Sequence, residues 1–217
     1  MPLNISPLLH SDIPAFALVE AAAAAHWPFA LAMEVPGTPR TVFVEDWARQ
    51  TLDKPNARWM KVSDAETGEM VSAALWHIPA RDSEEGVEGE GGKRREEEGV
   101  GQPDPMPLLL AAERAWKVFE KEWIGDRPYA LLSLLVTHPH HQRRGAGTLL
   151  VKQFCRDADA QGLLSAVTAS EAGEAVYAKQ GFVVKKVDPM DLRPYGVDAT
   201  DLKRRMLREV GSDEVAR

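Results

Sequence analysis

Apolar and polar positions along the chain fall into runs of two distinct periods. Ser11, Asp12 and Pro14 precede Ala15-Phe16-Ala17-Leu18-Val19-Glu20, which predicts a helix that starts with proline in its first turn and ends near Ala25. His26-Trp27-Pro28-Phe29 interrupts the pattern, and Val42 to Leu52 predicts a second helical stretch carrying Phe43 and Trp47. Arg58 to Ser63 and Met70 to Ile78 are apolar, partly β-branched runs on either side of the polar turn Asp64 to Glu69, the pattern of an antiparallel hairpin. Leu109, Ala112, Trp116 and Phe119 give a helical stripe over Leu108 to Trp123. Tyr129 to Val136 is an almost continuous apolar run, the mark of a central strand buried on both faces. A helix from about Gly147 to Gln161, a strand over Leu163 to Thr168, a helix over Glu171 to Gln180 and a strand over Phe182 to Val187 complete an α/β or mixed α+β pattern. In the tail, Asp201 to Arg208 suits a last strand, while Leu202, Met206 and Val210 also suit a helix.

Composition adds boundaries to this picture. The 217 residues are 44% hydrophobic and 27% charged, enough to bury the core of one domain, and we take residues 1–217 as a single domain. Between Arg81 and Pro107, Glu and Gly dominate and Pro103, Pro105 and Pro107 alternate, so residues 81–107 are expected to form a disordered acidic insertion. Its Lys93-Arg94-Arg95 reads as a solvated charge run, with a docking or nuclear-import signal as the alternative. A net charge of -7 argues against a nucleic-acid binder, which would want a basic face. The single cysteine, Cys155, leaves nothing for a disulfide or a thiolate zinc site. There is no signal-peptide pattern at the start and no apolar run near the roughly 20 residues of a membrane span. The expectation is a cytoplasmic protein, with the nucleus as the alternative compartment, and no nucleic-acid or membrane partner.

The segment with the most chemistry is His138-Pro139-His140-His141-Gln142-Arg143-Arg144-Gly145-Ala146-Gly147, between the apolar strand and the following helix. A helix N-terminus offers unpaired amides and about half a positive charge, Gly145 and Gly147 permit close approach, and Arg143 and Arg144 add charge, so a pyrophosphate would suit the place. Two common phosphate loops fail on spacing. The nucleotide P-loop needs a lysine where Gly145-Ala146-Gly147-Thr148 has none, and the dinucleotide fingerprint needs Gly or Ala where Leu150 stands.

A strand followed by Gln142-Arg143-Arg144-Gly145-Ala146-Gly147 and a helix resembles motif A of the GCN5-related N-acetyltransferases (the GNAT superfamily), Gln/Arg-x-x-Gly-x-Gly/Ala. Val136-Thr137-His138-Pro139 before it and Ala175-Val176-Tyr177-Ala178-Lys179-Gln180-Gly181-Phe182 after it match further family features in the right order. The resemblance implies a central mixed β-sheet flanked by helices, in which two parallel strands, Tyr129 to Thr137 and Leu163 to Thr168, splay to admit the pantetheine arm of acetyl-CoA. It implies that backbone groups of Leu135 and Thr137 hold the pantetheine and acetyl carbonyl. Gln142 and the amides of Arg143, Arg144, Gly145, Ala146, Gly147 and Thr148 would hold the pyrophosphate. Tyr177 takes the position of the family's general acid, and His138 that of a histidine that some members use in a proton relay. The implied reaction is direct acetyl transfer to a primary amine of a small molecule or peptide, without a metal. A catalytically inactive acyl-CoA-binding module is the alternative.

Several residues carry blander readings. His140 and His141 are expected to be solvated loop residues, and the histidines of this loop to bind no metal. Cys155 is expected in the core. Trp27, Phe29, Phe43 and Trp47 are divided evenly between acceptor pocket and core. Glu34, Glu45 and Asp46 are alternative bases, and Lys203-Arg204-Arg205 is a local basic patch.

Overall fold

The computed structural model describes residues 2–79 and 106–212. In order these form β1 (Leu3–Pro7), α1 (Ile13–Ala24), α2 (Pro28–Leu31), α3 (Arg40–Thr51), β2 (Ala57–Asp64), β3 (Met70–His77), α4 (Met106–Phe119), β4 (Tyr129–Thr137), α5 (Ala146–Asp159), β5 (Leu164–Ala169), α6 (Glu171–Ala178), β6 (Val183–Asp191) and β7 (Thr200–Arg208). Residues 81–105 of the expected acidic insertion, with its Lys93-Arg94-Arg95, lie outside the described residues. Its last two residues, Met106 and Pro107, belong instead to the first turn of α4, where proline costs no intrahelical hydrogen bond.

The seven strands make one sheet in the order β1-β2-β3-β4-β5-β7-β6. Every neighbouring pair is antiparallel except β4 and β5. This is the mixed sheet flanked by helices that the sequence leads one to expect. β1 went unread although Leu3-Asn4-Ile5-Ser6 alternates with the period of a strand, because five residues are too few to stand out. The helical alternative for the tail is overturned: β7 is inserted between β5 and β6, and ladders on both sides outweigh the Leu202, Met206, Val210 spacing. β6 runs on to Asp191, accommodating Pro189 because it is an edge strand.

Helices cover both faces. α5 and α6 pack Leu150, Val151, Phe154, Cys155 and Tyr177 against Trp76, Leu132, Val167 and Met206, so Cys155 is core as expected. On the other face, α1 and α3 bring Phe16, Val44 and Ala48 onto Trp59, Ala73 and Leu75. Beside them α4 sets Trp116 and Phe119 over Tyr129, Leu131, Ala166 and Leu207.

The central strand departs from its expected burial. Tyr129 to Leu132 are buried on both faces, but Ser133 is exposed and Leu134 to Thr137 are only half-buried. The parallel pairing explains this, since it runs from Tyr129↔Leu164 to Leu132↔Val167 and stops. On the β3 side Leu75 pairs Leu134 while Trp76 pairs Leu132, so Ser133 is the extra residue of a bulge at the point where the strands part. A bulge bends its strand and increases the twist, which is how β4 turns away from β5.

Candidate active site

The gap between β4 and β5 has a polar edge whose identity follows from strand geometry. The His138 amide donates to the Val71 carbonyl at 2.9 Å, and Ser72 Oγ donates to the Val136 carbonyl at 2.6 Å. Backbone groups of Val136 and His138 therefore face β3, and by the alternation of a strand those of Leu135 and Thr137 face the gap. Their side chains lie toward α5: a Cβ on Gly147 would stand 3.6 Å from Thr137 Oγ1 and 3.8 Å from Leu135 Cδ2. Thr137 Oγ1 is in turn 2.9 Å from Ser72 Oγ, which fixes the end of β4 to β3.

Two left-handed residues shape the loop after β4. Arg143 has φ 63, the positive value that L residues avoid, and Gly145 at the helix N-cap has φ 89. The Leu149 amide makes the first bond of α5, to the Gly145 carbonyl at 3.0 Å, so the amides of Ala146, Gly147 and Thr148 precede the helical ladder. Gln142 Nε2 donates back to the Thr137 carbonyl at 3.4 Å, tying the loop to the strand.

The two arginines divide. Arg143 is exposed. The Arg144 side chain, expected to add charge for a phosphate, is instead directed to Asp64 at 3.3 Å and to His141 Nδ1 at 2.8 Å. His141 is correspondingly no solvated residue: it bridges Arg144 to Glu69, whose carboxylate is 3.6 Å from its Nε2. His140 is exposed as expected.

Tyr177 is 6% exposed and packs edge-on to Phe182, with ring centroids 5.9 Å apart. Ser170 caps α6 by accepting the Gly173 amide at 3.2 Å, and Gly173 lies one turn before the tyrosine. A Cβ on Gly173 would stand 3.3 Å from the tyrosine ring, so glycine sets how closely the ring lies against its own helix. Burial pushes the Tyr177 hydroxyl well above the ordinary tyrosine range, keeping it a proton donor. His138 is half-buried, and its Nδ1 accepts the His140 amide at 3.3 Å. In the neutral ring the proton then sits on Nε2 and the lone pair is already engaged, an arrangement better suited to donating than to abstracting a proton. Among the described residues no cluster could hold a metal ion.

A model of the acetyltransferase (GNAT) domain matches residues 112–184, from α4 through the gap, the loop and α6 into β6. Over that stretch the chain is similar to a GNAT domain. No curated protein sequence matches it, but solved structures share the fold at low identity. A histone acetyltransferase HPA2-related protein from Corynebacterium glutamicum aligns over 97% of this chain and 98% of its own, with a TM-score of 0.61 at 18% identity. A spermidine N-acetyltransferase chimera from Vibrio cholerae and human sequences covers 100% of both chains, TM-score 0.59, identity 14%. The PaiA N-acetyltransferase of Thermoplasma acidophilum, solved with coenzyme A, covers 96% of this chain and 99% of its own, TM-score 0.50, identity 14%.

Outside the matched stretch the N-terminal helices are held by contacts that the sequence conceals. Trp47 packs edge-on to Trp59 and tilted against Phe16 at the margin of the core, and Phe43, packed against the same cluster, also lines a small cavity with Met33, Glu34 and Arg40. Glu45 and Asp46 pair with Arg49 on α3. Trp27 and Phe29 lie under the Lys203 ammonium, 4.7 and 3.8 Å from their ring centres, and Trp27 Nε1 donates to Asp201 at 3.1 Å. The expected basic patch is thereby taken apart. Lys203 pairs with Asp201, Arg204 with Glu174 and Arg205 with Asp188, and Arg205 also donates to Thr168 just past the last β4–β5 pair.

One prediction belongs to the loop itself. Gly145 has no atom within 4 Å of a would-be Cβ, so Gly145→Ala meets only backbone strain. Left-handed geometry should cost about 1 to 2 kcal/mol of stability or be relieved by moving the loop. Urea unfolding and CoA calorimetry on the same protein register the two, and a variant unchanged in both would show that the turn is not under strain.

Proposed function

We propose that the chain is an N-acetyltransferase that moves the acetyl group of acetyl-CoA directly to a primary amine of a small molecule or peptide. The observation that carries the proposal is that two sets of backbone groups lie outside the ladders: those of Leu135 and Thr137 along the gap, where the β4–β5 pairing has stopped, and the amides of Ala146, Gly147 and Thr148 at the start of α5. The first suits the amides and thioester carbonyl of an acyl-pantetheine, the second a pyrophosphate.

In the reaction, the lone pair of a neutral amine attacks the thioester carbonyl and a C–N bond forms. A Leu135 N–H facing the gap stabilises the resulting oxyanion. The C–S bond then breaks, Tyr177 gives its hydroxyl proton to the departing thiolate, the amine's surplus proton passes to solvent, and solvent returns one proton to Tyr177, so that the tyrosine is restored. Spermidine N-acetyltransferase among the structural neighbours is named for a primary-amine substrate, and the excess of acidic groups here would draw a cationic amine toward the chain.

Calorimetry with acetyl-CoA, followed by thiol release against a panel of amines, tests this. Binding with thiol release is expected. Binding without release to any amine would favour an inactive acyl-CoA-binding module, and no binding would remove the basis of both readings.

A further inference from the structure

The contacts between the phosphate-facing loop and the β2–β3 hairpin point to a residue that neither motif nor fold assigns. We infer that Asp64 is a positioning residue for acyl-CoA: by holding Arg144 it fixes the loop from Arg143 to Thr148 in the shape that receives the pyrophosphate. The inference rests on the acyl-CoA reading above and extends it to the end of β2, two strands from β4.

Asp64 is itself immobilised. It closes β2, is 1% exposed, and its backbone amide donates to the Glu69 carbonyl while its carbonyl accepts the Gly68 amide, both at 2.9 Å. Its neighbour Ala65 donates to the Pro2 carbonyl at 3.0 Å, and Asp64 pairs with Leu3 of β1. One carboxylate oxygen accepts the Glu66 amide at 3.0 Å and the other the Arg144 guanidinium at 3.3 Å. The Glu66 amide foremost, with the Thr67 amide and Arg144, outweighs burial and holds the carboxyl below the usual carboxylate range, so it stays ionised.

Arg144 stands between the two left-handed residues of the loop. Holding Arg143 at φ 63 costs about 1 kcal/mol, which persists only if the surroundings over-determine it. They do so from both sides: Gln142 is tied to the Thr137 carbonyl before it, and Arg144 to Asp64 and His141 after it. Without the carboxylate the second tether loses its anchor on β2 and weakens to the His141 contact within the same loop, Arg143 relaxes toward negative φ, and the amides leading into α5 lose their common direction. An anion site built of backbone groups depends on that direction more than on side-chain charge.

The test is CoA affinity, measured by calorimetry on the whole chain and independent of turnover. Asp64→Asn should raise the Kd for CoA about tenfold, and Arg144→Gln should raise it similarly from the other side of the same contact. The double variant should be no weaker than the worse single one, as expected of two ends of one interaction. If the enzyme turns over, KM for acetyl-CoA should rise while kcat at saturation changes less than twofold. Wild-type affinity in Asp64→Asn, tighter binding from a freed Arg144, or strictly additive losses would each overturn the inference. If Asp64→Asn does not fold, Arg144→Gln carries the test, since Asp64 keeps its Glu66 amide. Failure of the wild-type chain to bind CoA would instead strike the functional reading.

Discussion

Tyr177→Phe is expected to lower kcat by about two orders of magnitude while leaving the Kd for CoA within about twofold. The change removes one oxygen and little else. The ring keeps its contact with Gly173 and its edge-on packing against Phe182, so the fold loses no apolar burial. Among the described residues the hydroxyl has no hydrogen-bond partner whose loss would add to the effect. Because burial raises its pKa above the ordinary value of about 10, it is protonated at every pH at which the protein would be assayed. A phenol held protonated can supply a proton to a thiolate, and its own titration should put no alkaline limb on the rate profile below that ordinary value. Single-turnover thiol release against pH, in both proteins, distinguishes the roles. A Phe variant with near wild-type turnover would make Tyr177 a packing residue. Loss of CoA affinity in step with turnover would say the same of the ring rather than the oxygen.

Local signals in this chain were legible and distant ones were not. The periodicities of α1, α3, the β2–β3 hairpin and α4 to α6 survive in the structure because each is decided within one stretch of about ten residues. Ala57 to Asp64 and Met70 to His77 lie within a residue or two of the expected limits. The loop between β4 and α5 could be singled out as a candidate phosphate site for the same reason: strand, glycines and helix start are contiguous, so their chemistry can be inferred without knowing what surrounds them. The polar contacts that set its shape are of another kind. Asp64 and Arg144 are separated by 80 positions, and nothing near either one marks the partner. The N-terminal helices are joined to β7 across a still longer span, Trp27 meeting Asp201 over 174 positions. That is why Trp27 and Phe29 could not be divided between pocket and core from sequence, and why Lys203-Arg204-Arg205 looked like a patch. In a strand, consecutive cations point to opposite faces, so three adjacent charges reach different carboxylates.

The same logic identifies where the fold itself is most vulnerable. Asp159→Asn is expected to destabilise the protein by about 3 kcal/mol at neutral pH, because it strips the counter-charge from a buried arginine. Arg208 is 0% exposed, donates through Nη1 and Nη2 to the two Asp159 oxygens at 2.8 and 2.9 Å, and donates through Nε to the Gln180 carbonyl at 2.8 Å. Asp159 also accepts the Gly211 amide at 3.1 Å, so one carboxylate joins the end of α5 to β7 and to the chain beyond it. Burial alone would raise the Asp159 pKa. The Arg208 and Gly211 hydrogen bonds overcome it and hold the carboxyl below its ordinary value. A depressed folded-state pKa contributes stability that is complete above the unfolded value, about 3.9, and is lost as the pH falls through the folded one. The difference in urea stability between wild type and Asp159→Asn should therefore be full at pH 7 and shrink toward pH 3, with the slope of the transition unchanged. Arg208 pairs with Ser165, at the end of β5 opposite the gap, so the folded variant should bind CoA as the wild type does. A constant difference across that pH range would show that the lost stability comes from packing rather than charge, and a weakened CoA site would show that the two ends of the sheet are coupled.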